Sequence, residues 1–338
     1  MSTSINNNSF RHSVEPNIRK SKEFESFLSK PISELGIIND LNGKPLVWVD
    51  ADEPIKNAFQ KLCDQSILSC PVYCKKSNQW VSIIDIKDFV RYFVSLFDRE
   101  NKLIKLSEFD ISIRNILTNS NGQFIRTCPM ITRNENVGML LELFEKKFHR
   151  VCVALDPNDQ MNLQVVSQLS LLKWIDKHNQ VLGDYGELQL EDLSLIHRHH
   201  NKPLVTINHK KLAIDAFRLM ADNNIYGIPV IGDNGELVDN ISVMDSKYIK
   251  MDLSKLLQPI YQFFVPNVGS AYPVPLRQPL MCDPKTRLKE AIGRIAAHKV
   301  HRIYLTKETV QAGIAQIPLR VISVSDLIWD LTNFSGLI

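Results

Sequence analysis

Two dipeptides of the 338-residue chain repeat one chemistry: His149-Arg150 in FHRVCV and His301-Arg302 in VHRIYL. An arginine presents a fixed fork of donors that suits phosphate oxygens and keeps its charge, and a histidine adds a donor whose strength follows pH. Two such pairs brought to one place are unfavourable alone and relieved by a polyanion. A single His-Arg pair would be read as surface cations at the head of a strand; recurrence in matching surroundings favours anion binding. Three aspartates make a second set: Asp88, Asp245 and Asp326, each where a short apolar strand runs into a helix. Ser242 precedes Asp245 by three residues, and Ser323 and Ser325 precede Asp326. A carboxylate there can accept both hydroxyls of a vicinal diol. It can equally close a capping box that stabilises the first helical turn by ~0.3–1 kcal/mol. Both readings stay open for each aspartate.

Little else in the chain is poised for chemistry. His197, Arg198, His199 and His200 form a run without a carboxylate or cysteine at ligand spacing, which reads as a solvated basic loop rather than a metal site. No G-x-x-x-x-G-K-S/T, G-x-G-x-x-G or G-x-S-x-G occurs, so neither a phosphate-cradling glycine loop nor a nucleophile elbow is present, and the expectation is a protein that is not an enzyme. Cys63, Cys70, Cys74, Cys128, Cys152 and Cys282 sit mostly in apolar runs without a C-x-x-C pair; reduced thiols are expected, with neither zinc nor disulfides. Forty Lys and Arg against 37 Asp and Glu leave a charge of +3, too little for a chain-wide nucleic-acid or membrane footprint. No apolar run long enough to span a bilayer and no signal-peptide pattern appear, so the expected setting is the cytoplasm, with the nucleus also open to it.

The elements that must position these residues come four times. A proline introduces a short apolar strand at Pro45 (PLVWVD), Pro129 (PMITRN), Pro203 (PLVTIN) and Pro279 (PLMCDP), at intervals of 84, 74 and 76 residues. Each anchor is followed by apolar residues at helical spacing: Ile55, Phe59, Leu62; Val137, Leu141, Phe144; Leu212, Ala216, Leu219; and Leu288, Ile292, Ile295. Two short strands and a second helix complete each unit. The expected fold is mixed α/β, four β-α-β-β-α units that cannot each close a core and so pair as two modules. The expected layout is a polar, disordered tail over 1–22, a leading helix and linker over 23–44, and repeats over 45–100, 129–182, 203–252 and 279–335. Linkers fill 101–128, 183–202 and 253–278. The aromatic cluster Tyr261, Phe263, Phe264 in the last linker is expected to pack on the body of the protein.

This order of elements, with S/T-x-x-D where the last strand meets the last helix, resembles the cystathionine-β-synthase (CBS) repeat. With four copies and the paired His-Arg motifs, the chain from about residue 30 to 335 resembles the gamma regulatory subunit of AMP-activated and sucrose-non-fermenting-type protein kinases. The resemblance implies a pseudo-symmetric disk with nucleotide clefts facing a central channel. It implies AMP, ADP or ATP as regulatory ligand, ribose on Asp88, Asp245 and Asp326, phosphates on His149, Arg150, His301 and Arg302, and further contacts from Ser242, Ser323 and Ser325. It implies kinase alpha and beta subunits as partners. The second repeat has Ser170 in place of the aspartate. Leu68 and Leu169 replace expected cations, and Asp85 and Lys87 stand where hydroxyl residues are usual, so fewer nucleotides than the family maximum are expected. The alternatives are a stand-alone CBS adenylate sensor, or a ligand-free CBS scaffold regulating another partner.

Overall fold

The protein, seen as a computed structural model, is described over residues 19–38, 46–104, 109–156, 158–159, 161–197, 202–264, 278–309 and 315–337. Helix α1 (Lys22–Ser29) leads, capped by Ser21, whose hydroxyl accepts from Phe24 N at 3.1 Å. The rest of the expected tail, up to residue 18, and the run from Arg198 to His200 lie outside the described residues.

Four three-stranded sheets follow, one per unit. The first unit is β1 (Val49–Asp50), α2 (Ile55–Asp64), β2 (Ser69–Cys74), β3 (Gln79–Asp85) and α3 (Ile86–Ser95), then α4 (Ile113–Leu117) in the linker. The second is β4 (Met130–Thr132), α5 (Val137–Glu145), β5 (Arg150–Ala154), β6 (Leu163–Ser167) and α6 (Gln168–Lys177), then α7 (Ser194–His197). The third is β7 (Ile207–Asn208), α8 (Ala213–Asp222), β8 (Gly227–Ile231), β9 (Leu237–Ser242) and a 3-10 turn (Val243–Ile249), then α9 (Ile260–Phe263). The fourth is β10 (Met281–Cys282), α10 (Leu288–His298), β11 (Arg302–Thr309), β12 (Ala315–Ser323) and α11 (Val324–Ser335). In each, the first strand pairs parallel to the second across the helix, and the second pairs antiparallel to the third. Strand β2 is buried along its whole length, which is why it reads as a continuous apolar run rather than an alternating one.

The expected helix ladders hold in units one, two and four. In unit three the register is one residue later: Leu212 is the N-cap, and Ala213, Ala216, Phe217 and Met220 face the core. Phe217, not Leu219, occupies the place that Phe59 takes in unit one. A polar Arg218 and Asp222 flank either choice, so the sequence pattern alone did not separate the two registers.

The helix faces make two apolar cores, each shared by alternate units. One core joins units one and three, through α3, α8 and the Val243–Ile249 turn, with Phe59, Phe89, Phe93, Phe217 and Phe263 at its centre. The other joins units two and four, through α5, α6, α10 and α11, and takes in Phe24 and Phe27 of α1. Helix faces are wide apolar stripes and find each other across alternate units.

Sequence neighbours are held by exchange. The segment before unit one bridges the start of α5 in unit two: Ile32 N donates to Glu135 O (2.9 Å) and Val137 N to Lys30 O (3.0 Å). The segment before unit two returns to unit one, with Ile55 N on Ile111 O (2.9 Å) and Ile113 N on Glu53 O (3.0 Å). The same exchange joins unit three to unit four: Leu190 N on Thr286 O (2.9 Å), Leu288 N on Leu188 O (2.8 Å), Ala213 N on Gln258 O (2.9 Å) and Ile260 N on Lys211 O (2.9 Å). Each bridge satisfies amides at a helix N-terminus that would otherwise lack partners. Within the exchanged segments, Ile32 and Leu35, Ile113 and Leu117, Leu190 and Leu193, and Ile260 and Phe263 are buried. Of the aromatic cluster, Phe263 is in the core and Tyr261 is exposed at 44%.

Candidate functional site

The start of the second strand is the same place in all four sheets, because Ser69, Arg150, Gly227 and Arg302 pair across their hairpins with Asp85, Ser167, Ser242 and Ser323. The residues one earlier are Leu68, His149, Tyr226 and His301. Units two and four therefore supply His-Arg, and units one and three supply small residues on which the arginines rest. Arg150 Nη1 donates to Ser69 Oγ at 2.7 Å, and Arg302 Nη2 donates to the Tyr226 carbonyl at 2.9 Å. The Arg302 guanidinium lies over Gly227, where a Cβ would have to displace it.

These side chains meet others at the centre. His149 Nδ1 lies 3.3 Å from Gln168 Oε1 and 3.2 Å from Ser325 Oγ, and the Ser325 hydroxyl donates to Gln168 Oε1 at 2.7 Å. Ser325 of α11 thus ties unit four to unit two. The His149 ring meets Tyr226 edge-on at 4.7 Å. Lys87 Nζ lies 4.1 Å over the Tyr226 ring and donates to Asn224 Oδ1 at 2.6 Å. Arg91 Nη2 donates to the same oxygen at 2.8 Å.

His149 and His301 are each partly buried, one residue before the second strand of its sheet. Burial, with Lys87, Arg150 and Arg126 nearby, holds His149 down to about 4. Burial, with Arg150, Arg302, His149 and Lys173 nearby, holds His301 down to about 3. Burial also lowers Lys87 to about 8 against the pull of Asp85. At neutral pH the centre therefore carries neutral imidazoles among Arg150, Arg302, Lys87 and Arg126. Asp85, 4% exposed, faces this group with its carboxyl pushed up by burial.

The three expected ribose aspartates all close capping boxes. Asp245 Oδ2 accepts from Ser242 N (2.7 Å) and Oγ (2.8 Å), and Asp326 Oδ2 accepts from Ser323 N (2.9 Å) and Oγ (2.6 Å). In unit two, Ser167 and Ser170 hydroxyls pair at 2.8 Å instead. Asp88 differs. Its Oδ2 accepts from Asp85 N at 2.9 Å and pairs with Arg126, with Arg91 Nη1 3.9 Å from Oδ1. Asp88 is 5% exposed, and the Arg126 guanidinium from the linker occupies the space beside it. All three thus close the capping box that their spacing allowed, and Asp88 is in addition paired with Arg126.

Sequence reasoning had weighed Asp85 and Lys87 only as departures, and it missed Arg126, Tyr226, Asn224, Gln168 and the Gly227 seat. Aligning the four strand starts would have exposed Ser69 and Gly227 as small partners of the arginines. Arg126 lies in a linker with no repeat to align. Among the described residues no group of three or more His, Cys, Asp or Glu could hold a metal ion, and no helix is long and apolar enough to cross a membrane.

Comparison with known proteins places this geometry. The CBS domain family matches residues 196–245. The pig 5'-AMP-activated protein kinase subunit gamma-3 is 25% identical over 308 residues, covering 85% of this chain and 54% of that protein. A Methanocaldococcus jannaschii structure described as an archaeal homolog of g-AMPK covers 85% of this chain and 96% of that one, at 15% identity and a TM-score of 0.53. The fold is four CBS repeats, and the chain resembles kinase gamma subunits. An Arabidopsis thaliana SNF1-related protein kinase regulatory subunit gamma-1-like protein is 31% identical over 209 residues, 59% of this chain and 45% of that one. Protein SDS23 of Yarrowia lipolytica is 23% identical over 290 residues, 78% of this chain and 55% of that one. The chain spans about half the length of these curated relatives.

Proposed function

We propose that the chain is a non-catalytic, adenine-nucleotide-sensing regulatory subunit of a Ser/Thr protein kinase, working beside alpha and beta subunits. One observation carries the reading: Arg150, Arg302, His149 and His301 converge on one enclosed centre with Lys87, where a polyphosphate would replace the water that burial has removed. Asp245 and Asp326, in the first turns of the Val243–Ile249 segment and of α11, take the ribose hydroxyls. Asp88 does not, because Arg126 holds it, so unit one contributes cations rather than a ribose site. AMP, ADP and ATP compete, and the effect on the kinase follows from their different affinities for its states.

The test is thermal unfolding with AMP, ADP, ATP and GTP, beside an Arg302→Ala, Asp326→Ala double variant. A ligand at 100 times its dissociation constant adds about 2.7 kcal/mol. Adenine-specific stabilisation that the variant loses supports the reading; no shift with any nucleotide at millimolar concentration removes it. A relative whose name carries no kinase, Protein SDS23, is similar over 78% of the chain, and the second reading is a stand-alone adenylate sensor. Recovery of kinase alpha and beta chains with the protein separates the first reading from the second.

A further inference from the structure

Six cysteines are free in the structure, and two of them touch: Cys128 Sγ and Cys152 Sγ are 3.3 Å apart. Cys152 lies in the middle of β5 and is 0% exposed. Its amide donates to Pro129 O at 2.8 Å, and its Cα partner on β4 is Met130. Cys128 stands two residues before Met130, outside the strand, and is partly exposed. The backbones on either side of the pair are therefore fixed by the β4–β5 ladder, while the Cys128 side chain keeps access to solvent.

We propose that Cys128 and Cys152 form a reversible thiol–disulfide pair, oxidised by a peroxide. A disulfide needs an S–S separation of about 2.05 Å, so roughly 1.2 Å of closure remains, within reach of side-chain rotation at the unpaired Cys128. The hydrogen bond with Cys128 and burial push the Cys152 thiol far up, so Cys152 is not the group that meets the oxidant. Cys128 is. Its sulfur attacks one peroxide oxygen, the O–O bond breaks, and sulfenic acid and one water form. The Cys152 sulfur then attacks the Cys128 sulfur; the S–S bond forms, the S–O bond breaks, and the hydroxyl leaves as a second water with the Cys152 proton. Two thiols are oxidised and one peroxide is reduced to two waters.

The position gives the pair a consequence. Cys128 is two residues from Arg126, which holds Asp88, and Cys152 is two residues from Arg150. The bond would pin the linker to the strand that carries the central arginine, at the seam of units one and two. Cys70 on β2 is 1% exposed and is the competing partner that the joined peptides must exclude. Cys74, whose thiol is held down to about 7 chiefly by a hydrogen bond with Ser77, lies elsewhere on β2 and serves as an internal control.

The full-length protein is treated with hydrogen peroxide, its remaining thiols are alkylated under denaturing conditions, and the digest is read by mass spectrometry. Cys128 and Cys152 are expected to leave the alkylatable set together, with one peptide pair joined through them and separated by dithiothreitol. In Cys128→Ser the joined peptide disappears and Cys152 stays alkylatable; in Cys152→Ser, Cys128 is trapped as sulfenic acid by dimedone. The proposal is overturned if both thiols remain alkylatable once Cys74 has been oxidised, or if Cys152 is found joined to Cys70.

Discussion

Lowering the pH from 7.5 to 5.5 destabilises this protein through two rings, His149 and His301. In the unfolded chain each takes a proton near 6.5, whereas in the folded protein the values fall to about 4 and about 3. The unfolded state therefore binds more protons over this interval, and stability drops as pH falls. Each ring contributes a loss of about 1.3 kcal/mol over these two units, or about 2.6 kcal/mol for both. Both residues are only partly buried, and solvent screens part of this, leaving roughly 1.5–2.5 kcal/mol.

Around the rings stand Lys87, Arg126, Arg150, Arg302, Lys173, Tyr226, Asp85 and Asp88. Burial raises both carboxyls, so their protonation works in the opposite sense, since a raised carboxyl favours the folded state as pH falls. The histidine term is isolated by urea unfolding at both pH values of the natural chain and of a His149→Gln, His301→Gln variant. The natural chain should lose about 1.5–2.5 kcal/mol more than the variant. Saturating tripolyphosphate should shrink that difference, because a bound polyanion stabilises both imidazoliums. A difference below about 0.5 kcal/mol would refute the enclosure of the two rings on which the site rests.

Arg126→Ala leaves Asp88 buried with only the distant Arg91, and the expected cost at neutral pH is about 3 kcal/mol. The loss relative to the natural chain should narrow as pH falls, because burial raises the Asp88 carboxyl and the variant lacks the guanidinium that opposes this, and denaturant unfolding at two pH values reads both. Phe24→Ala empties a fully buried site against Phe334, 5.0 Å away, and should cost about 3–4 kcal/mol. Hydrogen exchange should report the loss in the core of units two and four before that of units one and three, although α1 precedes unit one in the chain.

Local pattern made the four units legible. Their strands and helices are short, each buries one face, and the apolar spacing that fixes them lies within about ten residues. The capping boxes at Ser242 and Ser323 were legible for the same reason, since Asp245 and Asp326 are only three residues on. The exchanged segments carried a signal that went unread: Ile32 and Leu35, Leu190 and Leu193, and Ile260 and Phe263 recur at a spacing of three, and Ile113 and Leu117 at a spacing of four. Counting them as linkers hid a fifth recurring element.

The sequence by itself determined the repeat, the His-Arg recurrence and the type of chemistry available, because residue identity and short-range periodicity suffice for these. Only the tertiary structure decided who meets whom. Apolar helix faces are not addressed to a particular partner by their own sequence, and packing brought unit one to unit three and unit two to unit four. That placement put Ser69 under Arg150, Gly227 under Arg302 and Ser325 against His149. It also let Arg126, from a segment with no repeat, reach Asp88 before any ligand could. Burial at the meeting point of four sheets then set the charge on each ring, a property that no stretch of the sequence holds alone.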